Sequence, residues 1–284
     1  MRSMKERQAS GTPLSQRFRL VLLHLAEEAR RILDSLEARP ARAVHALRMR
    51  MKNLRAILLL VKPRIPKPTR KAVSTLAGSL KDAFSVTRDA HMLAALRAKI
   101  AGRRESEARR TLTPHSAARN QKAKADASRL IRMVSKIALD GLAWPEVFEG
   151  YLRTYRAGRK AMKACEHKPT AEEFHEWRRP VKDLFFQSQV FQPLDGMTAR
   201  RRRADRLGNR LGTMNDLRLL HAEAKKNRDS ALLKQIVKKQ RALVPAIFKA
   251  AAKLYDERPR DIATALERCV KFQPAIAAQA VRQA

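Results

Sequence analysis

The sequence predicts an all-α protein built from antiparallel helical bundles. Three observations carry that expectation. Only 9 of the 284 residues are glycine. Apolar residues recur every three or four positions over long stretches, and Ala, Leu, Arg and Lys, all strong helix formers, fill most of the rest. No run alternates apolar and polar residues for long enough to make a strand.

Leu14, Phe18, Val21, Leu25, Ile32 and Leu36 set out a first helix, with Pro13 suited to its first turn and Pro40 marking its stop. A second helix runs over about 41–62 on a stripe of Leu47, Met51, Leu54, Leu58 and Val61, and it ends in Pro63, Pro66 and Pro68. Further helices are expected at about 69–86, 88–112, 115–141, 145–166, 170–191, 197–225 and 229–256, with a short one near 259–272. Pro114, Gly141 to Pro145, Pro169 and Pro193 to Gly196 supply the breaks. Helices of about 20–28 residues are about 30–40 Å long, and with short connections they pack side by side as bundles.

Charge limits the partners. Lys and Arg total 62 against 27 Asp and Glu, a formal net charge of +35, while 44% of residues are hydrophobic. That much apolar material builds a core and excludes a disordered chain. Such a charge repels itself and calls for a polyanion: nucleic acid, an anionic membrane or a phosphate polymer. The N-terminus is polar and nothing approaches 18 consecutive apolar residues, so no targeting signal or membrane span is expected and the protein reads as soluble. Cys165 and Cys269 form no CxxC pair and fit a reducing cytoplasm as core residues.

Two segments repeat in order. Val44-His45-Ala46-Leu47-Arg48-Met49-Arg50-Met51-Lys52-Asn53-Leu54 matches Phe174-His175-Glu176-Trp177-Arg178-Arg179-Pro180-Val181-Lys182-Asp183-Leu184, sharing apolar-His-x-x-Arg-x-x-x-Lys-x-Leu. Leu80, Phe84, Arg88-Asp89 and Leu93 then answer to Leu207, Leu211, Asn215-Asp216 and Leu220. The pattern predicts a duplication, with one half at about 14–141, a second at about 142–256 and a helical tail over 257–284.

His45, Arg48, Lys52 and Arg55 step by three and four along one helix, beside its apolar seam, and His175, Arg178 and Lys182 repeat them with Arg179 alongside. No carboxylate lies at i±4 within the first stripe to neutralise it. Weaker stripes run through Arg17, His24 and Arg31, and through Tyr155, Arg156, Arg159, Lys160 and Lys163. Guanidinium groups grip phosphate oxygens bidentately and Lys adds point charge, so parallel rows suit a long phosphate chain.

In these residues the sequence resembles the conserved histidine α-helical domain family, CHAD. The family hallmark, roughly His-x-x-Arg-x-x-x-Arg/Lys-Arg-Leu-Arg-Ala, appears as His45 to Ala56, and its second-half version as His175 to Phe186. Its Arg-Asp motif looks like Arg88-Asp89, and its Leu-Gly-x-x-Asn-Asp motif is similar to Leu211-Gly212-Thr213-Met214-Asn215-Asp216. The resemblance covers roughly 14–256 and makes the chain a single CHAD domain over 1–284. It implies two pseudo-symmetric helical bundles around a basic surface that binds inorganic polyphosphate, often at polyphosphate granules. The expected contact set is Arg17, His24, His45, Arg48, Lys52, Arg55, Arg156, Arg159, His175, Arg178, Arg179 and Lys182, together with Arg88, Arg210 and Arg218. The sequence departs from the family where Asn53 and Phe185 replace basic residues and Phe186 stands for Tyr. Pro180 also falls inside a helix, where it is expected to kink the chain or delay the helix start.

Catalysis is not expected. His175-Glu176 lacks the second His of HExxH, no GxxxxGK[ST] or GxGxxG loop occurs, and Glu105-Ser106-Glu107 is a lone fragment of the glutamate pattern used by triphosphate-cleaving domains. No metal or cofactor is implied. A sequence-independent nucleic-acid binder is the alternative reading. It is weakened because the 14 aromatic residues mostly occupy core phases instead of stacking positions.

Overall fold

A computed structural model describes residues 13–38, 40–100, 116–191, 194 and 196–272, without the side chains of 86–91. The expected break at Pro114, the Glu105 to Glu107 fragment, the Arg88 and Asp89 side chains and the end of the tail lie outside the described residues. The helices are α1 (Leu14–Asp34), α2 (Pro40–Leu60), α3 (Lys67–Asp82), α4 (Ser85–Ile100) and α5 (Ala117–Ser135). They continue as α6 (Trp144–His167), α7 (Ala171–Val190), α8 (Met197–Lys226), α9 (Ser230–Leu254) and α10 (Pro259–Phe272). Among the described residues there is no strand, and the fold is all-α.

Helix ends follow local chemistry. The side chains of Ser116, Thr170 and Asp229 each accept from a backbone N–H one turn into α5, α7 and α9. Pro40 opens α2 instead of merely ending α1, because a proline at the first helical position has no N–H to lose. The helix expected over 115–141 stops at Ser135. Ile137, Leu139 and Leu142 bury themselves in a non-helical connection, and their apolar spacing prolonged the helical pattern. Pro180 does not delay α7, which runs unbroken from 171 to 190 around it. Thr170 caps the start, and only the Glu176 carbonyl loses its helical partner.

α1 packs on α2 and α5, and α3 packs on α2 and α5, closing a four-helix ring. α6, α7, α8 and α9 pack in series, with α10 on α6. α4 lies against α8 and α9, so a helix from the N-terminal side of residue 141 packs on C-terminal elements. Its Leu93, Leu96 and Ile100 cover a satellite cluster of Leu217, Leu220 and Ile236. The main core is continuous across both groups, since α2 also packs on α7 and α6. At that seam Ala56 and Leu60 of α2 and Gln187 of α7 are fully buried, and Asn53 donates to Gln189 Oε1 at 3.4 Å. Gln187 donates to the Ala56 carbonyl at 3.0 Å, so the polar group buried there is satisfied.

Gly150 marks the tightest crossing. A Cβ there would collide with the Leu60 backbone, which cannot rotate away. In an ordinary helix interior, Gly→Ala stabilises by about 1 kcal/mol. Here overpacking of about 1–3 kcal/mol opposes it, and the rigid backbone neighbour puts the cost at the upper end. Gly150→Ala is therefore expected to lower Tm in a thermal melt. A raised Tm would show that α2 and α6 do not touch at this point.

Candidate anion-binding groove

Where α2 meets α7, their cationic faces line one cavity of about 540 Å³. α2 contributes Lys52 and Arg55, α3 contributes Ser74 and Lys81, and α7 contributes His175, Arg178, Arg179, Lys182 and Asp183. Six lysines and arginines thus face a single carboxylate. Two neighbouring cavities share its walls. One, of about 410 Å³, shares Arg55, Leu59, Ser74 and Lys81 and adds Lys67, Arg70 and Lys71 from α3. The other, of about 550 Å³, shares Leu59, Arg179 and Asp183 and adds Lys62 together with Arg153 and Lys160 from α6.

The groove cations have both neutral and acidic partners: Arg179 pairs with Glu176 at 3.2 Å and Lys81 with Asp82 at 3.1 Å. Arg55 donates to the Ser74 hydroxyl at 3.2 Å, and Lys182 to Asn209 Oδ1 at 3.0 Å. His175 Nδ1 meets Asn215 Oδ1 at 2.8 Å, so the assigned amide orientation puts the proton on Nδ1. The same oxygen accepts from Arg218 at 3.4 Å. Lys182 is also within 3.7 Å of Asp205, and its ammonium sits over the Phe185 ring. Burial pulls Lys182 below the ordinary lysine value; Asp205 opposes this and Arg178 adds to it. Its stem lies flat on α8 because Gly208 has no Cβ, which would stand 2.9 Å from Lys182 Cε.

The expected contact set divides on this geometry. Lys52, Arg55, His175, Arg178, Arg179 and Lys182 come together around the central cavity. Arg218 stands behind His175 through Asn215 and reaches Glu172 at 3.8 Å. Arg48 is half-buried and turned to the end of α3, donating to the Lys81 carbonyl at 3.0 Å with Asp82 at 3.5 Å. That contact stabilises a helix C-terminus, where a cation meets unpaired carbonyls. His45 is exposed on α2 outside the central lining, unlike its repeat partner His175. Arg17 is buried in the first turns of α1 and His24 is exposed on the same helix, both away from these cavities. Arg156 pairs with Glu149 at 2.8 Å, Arg159 lies near Tyr155 and Tyr255, and Arg210 bonds to the Arg206 carbonyl within its own helix. Asp216 falls inside α8 and Asp89 inside α4, so neither caps a helix.

Several groove residues were missed from sequence. On α6 the face that lines the groove carries Arg153, which no expected stripe included, with Lys160 of the weaker stripe, and not Arg156 and Arg159. On α3, Lys67, Arg70, Ser74 and Lys81 follow helical spacing, a signal that was available. Asp183 gave none, because one more acid on a helix of mixed charge reads as surface.

Among the described residues no helix is long and apolar enough to cross a membrane. No curated protein and no solved structure matches the chain. The family model of the CHAD domain matches residues 16–225, which include all of α2, α3, α6 and α7, the helices that wall the groove. A match over well more than half of the 284 residues establishes kinship, and the chain belongs to the CHAD domain family.

Proposed function

We propose that the protein binds inorganic polyphosphate in this groove, without a catalytic step. The observation that carries the reading is the convergence of the α2 and α7 stripes on one cavity, with six cations against one carboxylate. The flanking cavities extend the cationic wall in both directions, which suits an elongated ligand better than a single small anion. Family membership points the same way. Nucleic acid is the weaker candidate. Single-strand binders stack bases on exposed aromatics, and Phe186, the aromatic that lines the central cavity, is only 3% exposed. The repeat read from the sequence fits this reading, since α2 and α7 carry its matching segments and each turns part of its basic stripe to the groove. Association with polyphosphate granules in the cytoplasm follows as part of the same proposal.

Competition at matched charge and salt tests the reading: long-chain polyphosphate is expected to displace DNA and RNA, and the reverse order would favour the nucleic-acid reading. Each neutralised phosphate releases counterions, with a slope of log K against log salt of about −0.7 to −0.9 per contact on nucleic acids. Six contacts predict a slope of about −4 or steeper. A slope shallower than about −2 would place binding outside the groove.

Position matters as well as charge. Lys52→Glu with Arg55→Glu is expected to cost about 100-fold or more in affinity, because each removes a charge-assisted contact of about 1.5–3 kcal/mol. Arg156→Glu with Arg210→Glu changes the net charge equally at an exposed and a half-buried position outside the lining of these cavities, and only a small loss is expected. Equal losses from the two pairs would mean diffuse attraction to the whole surface.

A further inference from the structure

Asp183 has an unusual position. With Leu59 and Arg179 it forms the wall shared by the central cavity and the α6 cavity, and it is the one carboxylate among the described residues lining the central space. Other acids near the groove are engaged: Asp82 with Arg48 and Lys81, Asp205 with Lys182, Glu176 with Arg179. Among the described residues, Asp183 has no hydrogen bond and no ion pair within 4.0 Å.

We propose that Asp183 is a proton-operated divider of the groove, letting one phosphate chain run through both the central and the α6 cavities only when its carboxyl is protonated. This rests on the polyphosphate reading. An ionised Asp183 places a negative charge at the junction a polyanion must cross. The neutral carboxyl removes that repulsion and offers an O–H that donates to a phosphate oxygen.

The surroundings set the balance. Burial pushes the Asp183 carboxyl up to about 6, while Arg55, Arg179 and Lys52 pull the other way. Lys81 of α3 and His175, Arg178 and Lys182 of α7 line the same central cavity. On the far side stand Lys62, Arg153, Lys160 and Glu176. A bound phosphate chain offsets these cations and adds negative charge, so it favours the protonated acid further. Binding therefore takes up a proton. Affinity rises as pH falls from about 8 and levels off below about 6, where the free protein is protonated too.

The experiment compares wild type with Asp183→Asn by calorimetric titration of long-chain polyphosphate from about pH 8 to about pH 5.5, in buffers of different ionisation enthalpy. The wild type is expected to tighten by about tenfold or more over that range and to take up one more proton than the variant near pH 7. The two proteins converge at the acid end, whereas at the alkaline end Asp183→Asn is expected to bind about tenfold or more tighter than wild type. It should also need a longer chain than wild type to reach full affinity there. Histidine titration and the phosphate chain ends are common to both proteins and cancel in the comparison. Asp183→Ala provides a second neutral side chain if the amide disturbs folding. Binding with equal proton uptake in wild type and variants overturns the divider and leaves the polyphosphate reading intact. No binding by any of the proteins at any pH overturns both.

Discussion

The packing of α2 against α7 governs this molecule, because it presses two cationic helix faces together. A like-charge pair at about 4 Å repels by about 4 kcal/mol near a protein surface, so the arrangement persists only if something else holds the helices. The apolar seam does so. Ala56, whose carbonyl accepts from Gln187, and Leu60, whose backbone lies against Gly150, are fully removed from water at this junction, and a leucine side chain so buried is worth about 1.5–3 kcal/mol. The stripe lies beside the seam on each helix, so burying the seam obliges the charges to face the same space.

The basic side chains are held in two ways. Outside the groove, arginines commonly sit against carboxylates: Arg30 with Asp34, Arg64 with Glu146, Arg156 with Glu149, Arg203 with Asp256. The side chain of Arg200, only 7% exposed, pairs with Glu257 at the turn before α10. Inside the groove Arg179 and Lys81 also have acid partners, Glu176 and Asp82, while Arg55 meets the Ser74 hydroxyl, which orients a cation without cancelling its charge. Lys182 combines both modes, with Asn209 close and Asp205 farther away. The positive potential is thus concentrated where a ligand can reach it, and α8 serves as the brace that aims it.

α8 fulfils that role through small and amide residues. Gly208 lets the Lys182 stem lie against the helix, while Asn209 and Asn215 point polar oxygens back at α7. α4 lies across α8 and α9 and holds the two together, with Arg97 reaching Glu223 at 3.8 Å and Asp229 at 3.4 Å. The groove walls therefore belong to a single continuous core, and a ligand meets cations fixed by packing.

The sequence by itself determined the helices, their approximate ends and the two cationic stripes, because apolar periodicity, prolines and basic spacing are local properties of the chain. It also carried the family motifs at His45 to Ala56 and His175 to Phe186. It missed the end of α5, where buried Ile137 and Leu139 imitate a helical pattern in a connection. Which charges share a cavity was decided by tertiary structure alone. Helix rotation turned Arg153 and Lys160 inward and Arg156 outward, and packing sent Arg48 to the end of α3 while leaving Arg55 at the groove. The same packing half-buried Asp183 between two cavities, a placement set by neighbours on α2 and α6 that lie far from it in the chain. A residue's own helix fixes which side chains are its companions, but only the approach of other helices fixes what they face.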